Sequence, residues 1–423
     1  MYIHKFGGAS IKDPERIQNV AKIIQDNIEK PSVIVVSAMG KTTNSMERLV
    51  QSYFDKNTED AFNIFESIKS EHYAICDRLL DDNLASRVKT DLNDTFIEIE
   101  WMIEQPSDDP YNYIYDQIVS VGELASSKIL QAVILQAGIE SEWIDARDMI
   151  KTDNKHRNAS VDWPQTQKLI QNHCRPKLEQ GKILVTQGFI GCTSENFTTT
   201  LGREGSDFSA AIFACSLSAN SMTVWKDVPG VMTADPAINK NATLLSTLSY
   251  AEALAMTYYG AKVIHPKTIK PIQIKKIPLL VKSFKSPADA GTEIKQLDMD
   301  LRYPAITVVD DENVFIRMSS KDNTFIREQR LGVIFTMMDK YGLVLKLDRN
   351  TPNDFIACVG DPFSNIEKFI VDASEVFDVE KQEDIELLTI RHGDEASIIE
   401  QLTGKKIIFK ESAEHTIQYV LSK

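Results

Sequence analysis

The chain opens with Met1–Ser10, MYIHKFGGAS. A short apolar run carries Lys5 and ends on Phe6, the pair Gly7-Gly8 and Ser10. The two glycines lack the Cβ atoms that would hold a phosphate away from backbone N–H groups. Lys5 adds a point charge for the same phosphate. A helix start follows, with Asp13 as N-cap and Pro14 at the first helical position. Ile17, Val20, Ala21, Ile24 and Ile28 then fall on one helical face. Strand, glycine turn and helix N-terminus make an anion-binding layout. A purely structural tight turn reads these ten residues equally well.

Further along, apolar strands alternate with helical stretches up to about Lys285. Strands are expected at Ser32–Ser37, Glu142–Asp145, Lys182–Ile190, Met222–Trp225 and Pro278–Ser283. Helical stretches are expected at Glu59–Gln105, Tyr115–Ala137, Asp162–Gln180, Ser206–Leu217, Tyr250–Tyr259 and after Pro266. This alternation predicts an α/β domain over 1–290, a largely parallel sheet sandwiched by helices with ligand loops at the strand ends. Residues 291–304 read as a linker. Over 305–423 two similar β-α-β-β rounds predict tandem small α+β units, the second abbreviated.

The 423 residues carry a formal net charge of -14, which argues against nonspecific nucleic-acid binding. An anionic substrate therefore needs a local cluster of Lys and Arg. The five cysteines are scattered, with no CxxC pair, and read as reduced packing thiols and not as a metal site. Apolar runs such as Val33–Val36 are too short to span a bilayer, and no signal-peptide pattern opens the chain. A cytoplasmic protein with no membrane partner is expected.

Four further stretches carry chemistry. Ser37–Asn44, SAMGKTTN, is a small hydroxyl-rich turn that either binds a carboxylate or phosphate or starts a helix capped by Thr43 or Asn44. Thr198–Asp207 packs Arg203, Ser206 and Asp207 among glycines at a helix start; Arg203 can grip a carboxylate bidentately. Lys226–Pro236, KDVPGVMTADP, is a strand end running into a turn, followed by Gly260–His265 with Lys262. Glu123 lies among apolar neighbours in a helix, either solvated at its edge or aimed into a site.

With KFGGAS, SAMGKTTN, VGELASSK, TQGFIG with TTTLGREGSDFSAA, and KDVPGVMTADP with YYGAKVIHPKT in this order, the chain resembles aspartate kinases of the amino-acid kinase superfamily. The resemblance runs from Met1 to about Gly291; the remainder resembles the ferredoxin-like ACT units of that family. It implies ATP- and Mg²⁺-dependent phosphorylation of the L-aspartate β-carboxylate, the first step toward lysine, threonine, methionine and diaminopimelate. By the same resemblance Lys5, Gly7 and Gly8, with Ser10, hold the transferring phosphoryl group. Asp207 organises the lysine and metal-phosphate network. Glu123 and Arg203 bind the substrate ammonium and carboxylate, and Ser37 and Thr43 line its pocket. Lys226, Asp227, Gly230 and Lys262 hold the nucleotide. The metal ligands stay open, since phosphate oxygens and water supply most of a Mg²⁺ shell. A homodimer or higher oligomer through the C-terminal region is implied, and a fused homoserine dehydrogenase is not expected in this length.

Several positions depart from the family pattern. Ala9 stands where Thr is usual, Glu204 replaces a glycine beside Arg203, and Lys226, Met232 and Ala237 replace Thr, Tyr and Arg. Val344 and Lys346 fall where the family binds its feedback amino acid, so weak or absent lysine inhibition is expected. Two alternatives stay open: another carboxylate or carbamate kinase, or a catalytically weak amino-acid-binding regulator.

Overall fold

The computed structural model describes residues 1–261, 264–297, 301–322 and 324–423. The chain divides into two compact units, the first comprising Met1–Val231, Leu244–Leu254 and Val263–Asp298. Its elements are β1 (Tyr2–Phe6), α1 (Pro14–Asn27), β2 (Ser32–Val36), α2 (Thr42–Phe54), α3 (Thr58–Leu79), α4 (Asp82–Glu104) and α5 (Tyr111–Gln136). After them come β3 (Ser141–Trp143), α6 (Trp163–Glu179), β4 (Ile183–Gln187), β5 (Ile190–Cys192), β6 (Thr198–Thr200), α7 (Gly205–Leu217) and β7 (Ser221–Lys226). The last are β8 (Thr247–Ser249), α8 (Tyr250–Tyr258) as far as Leu254, α9 (Pro266–Ile274), β9 (Leu279–Ser283) and β10 (Thr292–Lys295).

Eight strands form one sheet in the order β3-β4-β2-β1-β7-β9-β10-β8. Only the β9–β10 pair runs antiparallel. SVIVV in β2 is buried at every residue, as a parallel strand covered on both faces must be. From β1 the chain builds one side of the sheet through β2 and β4, then crosses to place β7 on the other side. The carboxyl end of β1 is thus a topological switch point, where open α/β sheets leave a crevice for ligands.

Local chemistry starts the helices where expected. Asp13 accepts the Arg16 N–H at 2.9 Å and caps α1. The helical stretch read over 59–105 is two helices, broken at Leu80-Asp81, with Asp81 accepting the N–H groups of Asn83 and Leu84. α5 and α7 are apolar nearly all round and buried nearly throughout, the pattern of core helices. α5 is long and apolar enough to cross a membrane by composition alone, yet 83% of its most apolar window is buried inside the protein.

The expected linker needs correction. Thr292–Lys295, inside 291–304, is strand β10 of the main sheet, pairing with both β9 and β8. It is four residues of modest hydrophobicity, and long-range pairing rather than local pattern makes it a strand.

The second unit comprises Met232–Thr243, Ala255–Lys262 and Met299–Lys423. Its strands and helices are β11 (Ile306–Asp310), β12 (Asn313–Ser320), α10 (Glu328–Tyr341), β13 (Val344–Asn350), β14 (Asp354–Gly360), α11 (Ile366–Ala373), β15 (Phe377–Gln382), β16 (Ile385–Arg391), α12 (Glu395–Leu402), β17 (Lys406–Ala413) and β18 (Thr416–Ser422). They form two antiparallel sheets, β13-β14-β12-β15 and β11-β16-β18-β17. The first is a complete βαββαβ round. The second takes its edge strand β11 from before that round, so the two are interleaved and not simply consecutive. A strand detached from its sheet by some 75 residues of chain leaves no local trace of where it pairs.

Candidate active site

Lys5 is the fourth residue of β1, level with Val35 of β2 and Val224 of β7. Its Nζ lies 2.5 Å from Asp207 Oδ1, in the first turn of α7. Lys226 Nζ, at the end of β7, lies 3.7 Å from Asp207 Oδ2. Asp207 is 2% exposed. Burial alone would raise its pKa, but the charges and hydrogen bonds of Lys5 and Lys226 outweigh it and hold the carboxyl below its usual range. One carboxylate and two ammonium groups leave the cluster net positive.

The glycine turn after β1 fits against the turn after β2. Gly40 N–H donates to the Gly8 carbonyl at 3.1 Å, and a Cβ on Gly8 would lie 2.7 Å from the Ala38 oxygen. A side chain there would push the two loops apart. A Cβ on Gly7 would sit 3.4 Å from Lys5 Nζ, so the glycine leaves open the space over the ammonium. Ser10 has a different task from the one expected. It is fully buried, and its hydroxyl donates to the Gly7 carbonyl at 2.6 Å, bracing the turn rather than facing a ligand.

Beside this turn opens a cleft of about 460 Å³ whose lining includes Gly8, Ser37, Thr43, Glu123, Arg203 and Ser206. It brings together the four residues expected to bind substrate. Ser126 Oγ donates to the Ser37 carbonyl at 2.7 Å and ties the second loop to α5. Glu123 is 3% exposed, and its Oε2 has no hydrogen-bond partner. Burial pushes its pKa up to about 8, against the opposing pull of the Ala38 N–H and Lys5. A buried acceptor without a partner costs free energy until a donor arrives.

Gly188 explains why TQGFIG carries its first glycine: a Cβ there would lie 2.5 Å from the Ser206 Cβ. Glu204 stands at φ 54, the left-handed conformation that favours glycine, which is the physical reason for a glycine at this position in the family pattern. Its Oε2 is buried, unpartnered, and belongs to the wall of the same cleft.

Sequence reasoning missed Glu47, Tyr115, Arg157 and Phe189 in this wall. It also missed Asp116 behind them, fully buried in α5. A signal for Asp116 existed. It is a lone acid among apolar helical residues, two turns before Glu123 and on the same face.

The residues expected to hold the nucleotide divide. Lys226 joins the cluster at Asp207, and Asp227 is exposed just beyond β7. Gly230 is buried, and a Cβ there would lie 2.5 Å from Thr292 Oγ1. That hydroxyl accepts from Val231 N–H at 2.8 Å and donates to the Leu245 carbonyl at 2.6 Å, so Gly230 seats the turn on β10. Lys262 lies outside the described residues.

The model of the amino acid kinase family matches residues 1–283. A bifunctional aspartokinase/homoserine dehydrogenase 1 of Arabidopsis thaliana is 33% identical over 300 residues, covering 70% of this chain and 33% of that protein. The lysine-sensitive aspartokinase 3 of Escherichia coli is 31% identical over 290 residues, covering 69% of this chain and 63% of that protein. The matched stretch thus spans about a third of the bifunctional relatives' own length. Among solved structures, E. coli aspartokinase III in complex with aspartate and ADP superposes with a TM-score of 0.84 at 23% identity, covering 100% of this chain and 96% of that one. Aspartate kinase of Clostridium acetobutylicum gives 0.77 at 20% identity with the same coverage. The likeness in fold therefore extends beyond the first 283 residues to the paired antiparallel sheets. With its glycine turns, its Lys5–Asp207–Lys226 cluster and the family model matched over two-thirds of its residues, this chain belongs to the amino acid kinase family.

Proposed function

We propose that this protein is an aspartate kinase, moving the γ-phosphoryl group of ATP to the β-carboxylate of L-aspartate and so opening the route to lysine, threonine, methionine and diaminopimelate. The observation that carries this reading is the net-positive Lys5–Asp207–Lys226 cluster beside a cleft that holds both Arg203 and the unpartnered, buried Glu123. An α-amino acid offers a carboxylate for Arg203 and an ammonium for Glu123, and the charge that would ionise Glu123 arrives with the substrate.

The acceptor carboxylate is already ionised at neutral pH, so no general base is required. The obstacle is bringing two anions together. Lys5 supplies the positive charge at the end of β1, and Asp207 fixes the ammonium in place. The N–H groups of the glycine turn are donors on a backbone kept close by Gly8. Ser37 and Thr43 add hydroxyls to the substrate's surroundings, and the buried wall of α5 limits water. Lys226 would reach the phosphates from the opposite side of Asp207.

A Cβ on Gly7 would sit 3.4 Å from Lys5 Nζ, so the glycine leaves the approach to that ammonium open for a phosphate. Among the described residues no three His, Cys, Asp or Glu side chains converge as a metal cage. A Mg²⁺ arriving with the nucleotide would be held by phosphate oxygens and water, with Asp207 as the nearby acid, and would neutralise charge on the phosphates. The C-terminal unit is the proposed dimerisation element, because its sheets end on edge strands such as β13 and β17. Light scattering on the full chain checks this, and a monomer mass at micromolar concentration overturns it.

The test of the activity is ADP release with Mg-ATP and L-aspartate, trapping the acyl phosphate as hydroxamate, beside Asp207→Ala. Aspartate-dependent hydroxamate that vanishes in the variant supports the reading. Amino-acid binding without turnover would make the protein a regulator.

A further inference from the structure

The cleft wall contains a second guanidinium, Arg157, besides Arg203. Arg157 stands at φ 67, where L side chains are rarely found. Its backbone is held there by a carboxylate with no exposure to solvent. The Arg157 N–H lies 3.1 Å from both oxygens of Asp116. Asp116 also contacts His156 Nδ1 at 2.8 Å and accepts from Thr200 Oγ1 at 2.6 Å. Three segments, α5, β6 and the loop around His156, are thereby tied at one point.

The Arg157 side chain is aimed as well. Its guanidinium carbon lies 4.4 Å from the centroid of the Tyr115 ring. The Tyr115 hydroxyl donates to Glu47 Oε1 at 2.7 Å. Among the described residues no carboxylate pairs with the guanidinium; its Nη1 makes one long contact, 3.5 Å, to Asn112 Oδ1. A stacked guanidinium with free donors loses little rotamer freedom when it takes an anion. In a chain of net charge -14, a local cation at the cleft also offsets repulsion of a substrate that carries two carboxylates.

We propose that Arg157 is a substrate-selecting residue that binds, together with Arg203, the carboxylate that is not phosphorylated, and that Asp116 is the positioning residue that aims it. This rests on the reading of the substrate as a small amino dicarboxylate. If Arg157 only pinned its loop to α5, its loss would lower stability without changing which ligand the cleft prefers.

The experiment is calorimetric binding of L-aspartate and of its α-amide to the full chain, for wild type, Arg157→Ala, Arg157→Lys and Asp116→Asn, over a range of salt. The α-amide lacks the charge that Arg157 is proposed to hold. Arg157→Ala should weaken L-aspartate roughly tenfold and the α-amide far less, so that the preference between them shrinks by about the same factor. The salt dependence of aspartate binding should flatten in the same variant. Arg157→Lys should restore part of the affinity, and Asp116→Asn should fall between wild type and Arg157→Ala. An unchanged preference in Arg157→Ala overturns the proposal, as does a wild type that binds neither compound at millimolar concentration. The hydroxamate assay on the wild type separates the two readings. Binding with the expected preference but without turnover sinks the kinase and leaves the role of Arg157 standing.

Discussion

Lys5 and Asp207, at the end of the first strand and the start of a helix formed two hundred residues later, meet at 2.5 Å with side chains 11% and 3% exposed. Neither is stable there alone. A buried carboxylate without its cation, or the reverse, carries the desolvation cost uncompensated. Lys226 shares the carboxylate from the other side, so the cluster holds one more positive than negative charge.

Removing that surplus should be felt in the chemistry as well as in stability. Lys5→Ala should lower kcat by about a few hundredfold, the scale of losing one preorganised donor. Steady-state rates at saturating aspartate and ATP check this, with circular dichroism to show that the variant is folded. Near-normal turnover would remove Lys5 from the mechanism.

Glu123 predicts a pH effect on stability. Its folded pKa of about 8 lies above that of a carboxyl in the unfolded chain. The folded state therefore binds the proton more tightly. Its contribution is fully present below the unfolded pKa and is lost as pH rises through about 8. Measured without ligand, wild type should lose thermal stability relative to Glu123→Gln between pH 5 and 8. Parallel curves for the two proteins would contradict the burial argument.

The same residue predicts a proton balance. If the substrate ammonium charges Glu123, aspartate binding at pH 7 should release protons. Calorimetry in buffers of different ionisation enthalpy reads this directly, and the release should disappear in Glu123→Gln.

Glu204→Gly should stabilise the protein. The left-handed backbone costs a non-glycine residue about 1–2 kcal/mol, and glycine gives back up to about 1 kcal/mol in chain entropy. Release of the buried, unpartnered carboxylate oxygen adds to the gain. A rise in Tm of a few degrees is expected in a thermal melt; a fall would mean that Glu204 has a stabilising partner.

Lysine should be a poor inhibitor. Lys346 Nζ already lies 3.0 Å from Asp310 Oδ2, so a carboxylate and the space near it are taken by the chain's own ammonium. Initial rates with up to about 10 mM L-lysine should change less than twofold. Strong inhibition that vanished in Lys346→Ala would show the opposite.

Much of the first unit was legible from local pattern. Asp13-Pro14 started a helix where caps and φ require one, and SVIVV declared a strand covered on both sides. Ser37, Thr43 and Arg203 stood in hydroxyl- and glycine-rich turns and Glu123 among apolar helical neighbours, while their roles at the cleft came from the resemblance to aspartate kinases. Ser10 and Gly230 stood in the same kind of turn yet serve packing, because a sequence does not reveal whether a hydroxyl faces a ligand or its own backbone. Arg157 was invisible for the opposite reason: its loop is polar throughout, and only the buried Asp116 beneath it marks it out.

The sequence by itself determined the alternation of the longer strands and helices, the glycine turns and the identity of the charged groups, because these follow from local φ/ψ preferences and from the period of apolar residues. Tertiary structure alone decided which groups meet. The placement of β1 between β2 and β7 brings Lys5, Lys226 and Asp207 together, Thr292–Lys295 becomes a strand only by pairing with β8 and β9, and β11 joins a sheet whose other strands come much later. These outcomes depend on burial shared between segments far apart in the chain, and no local window contains both partners.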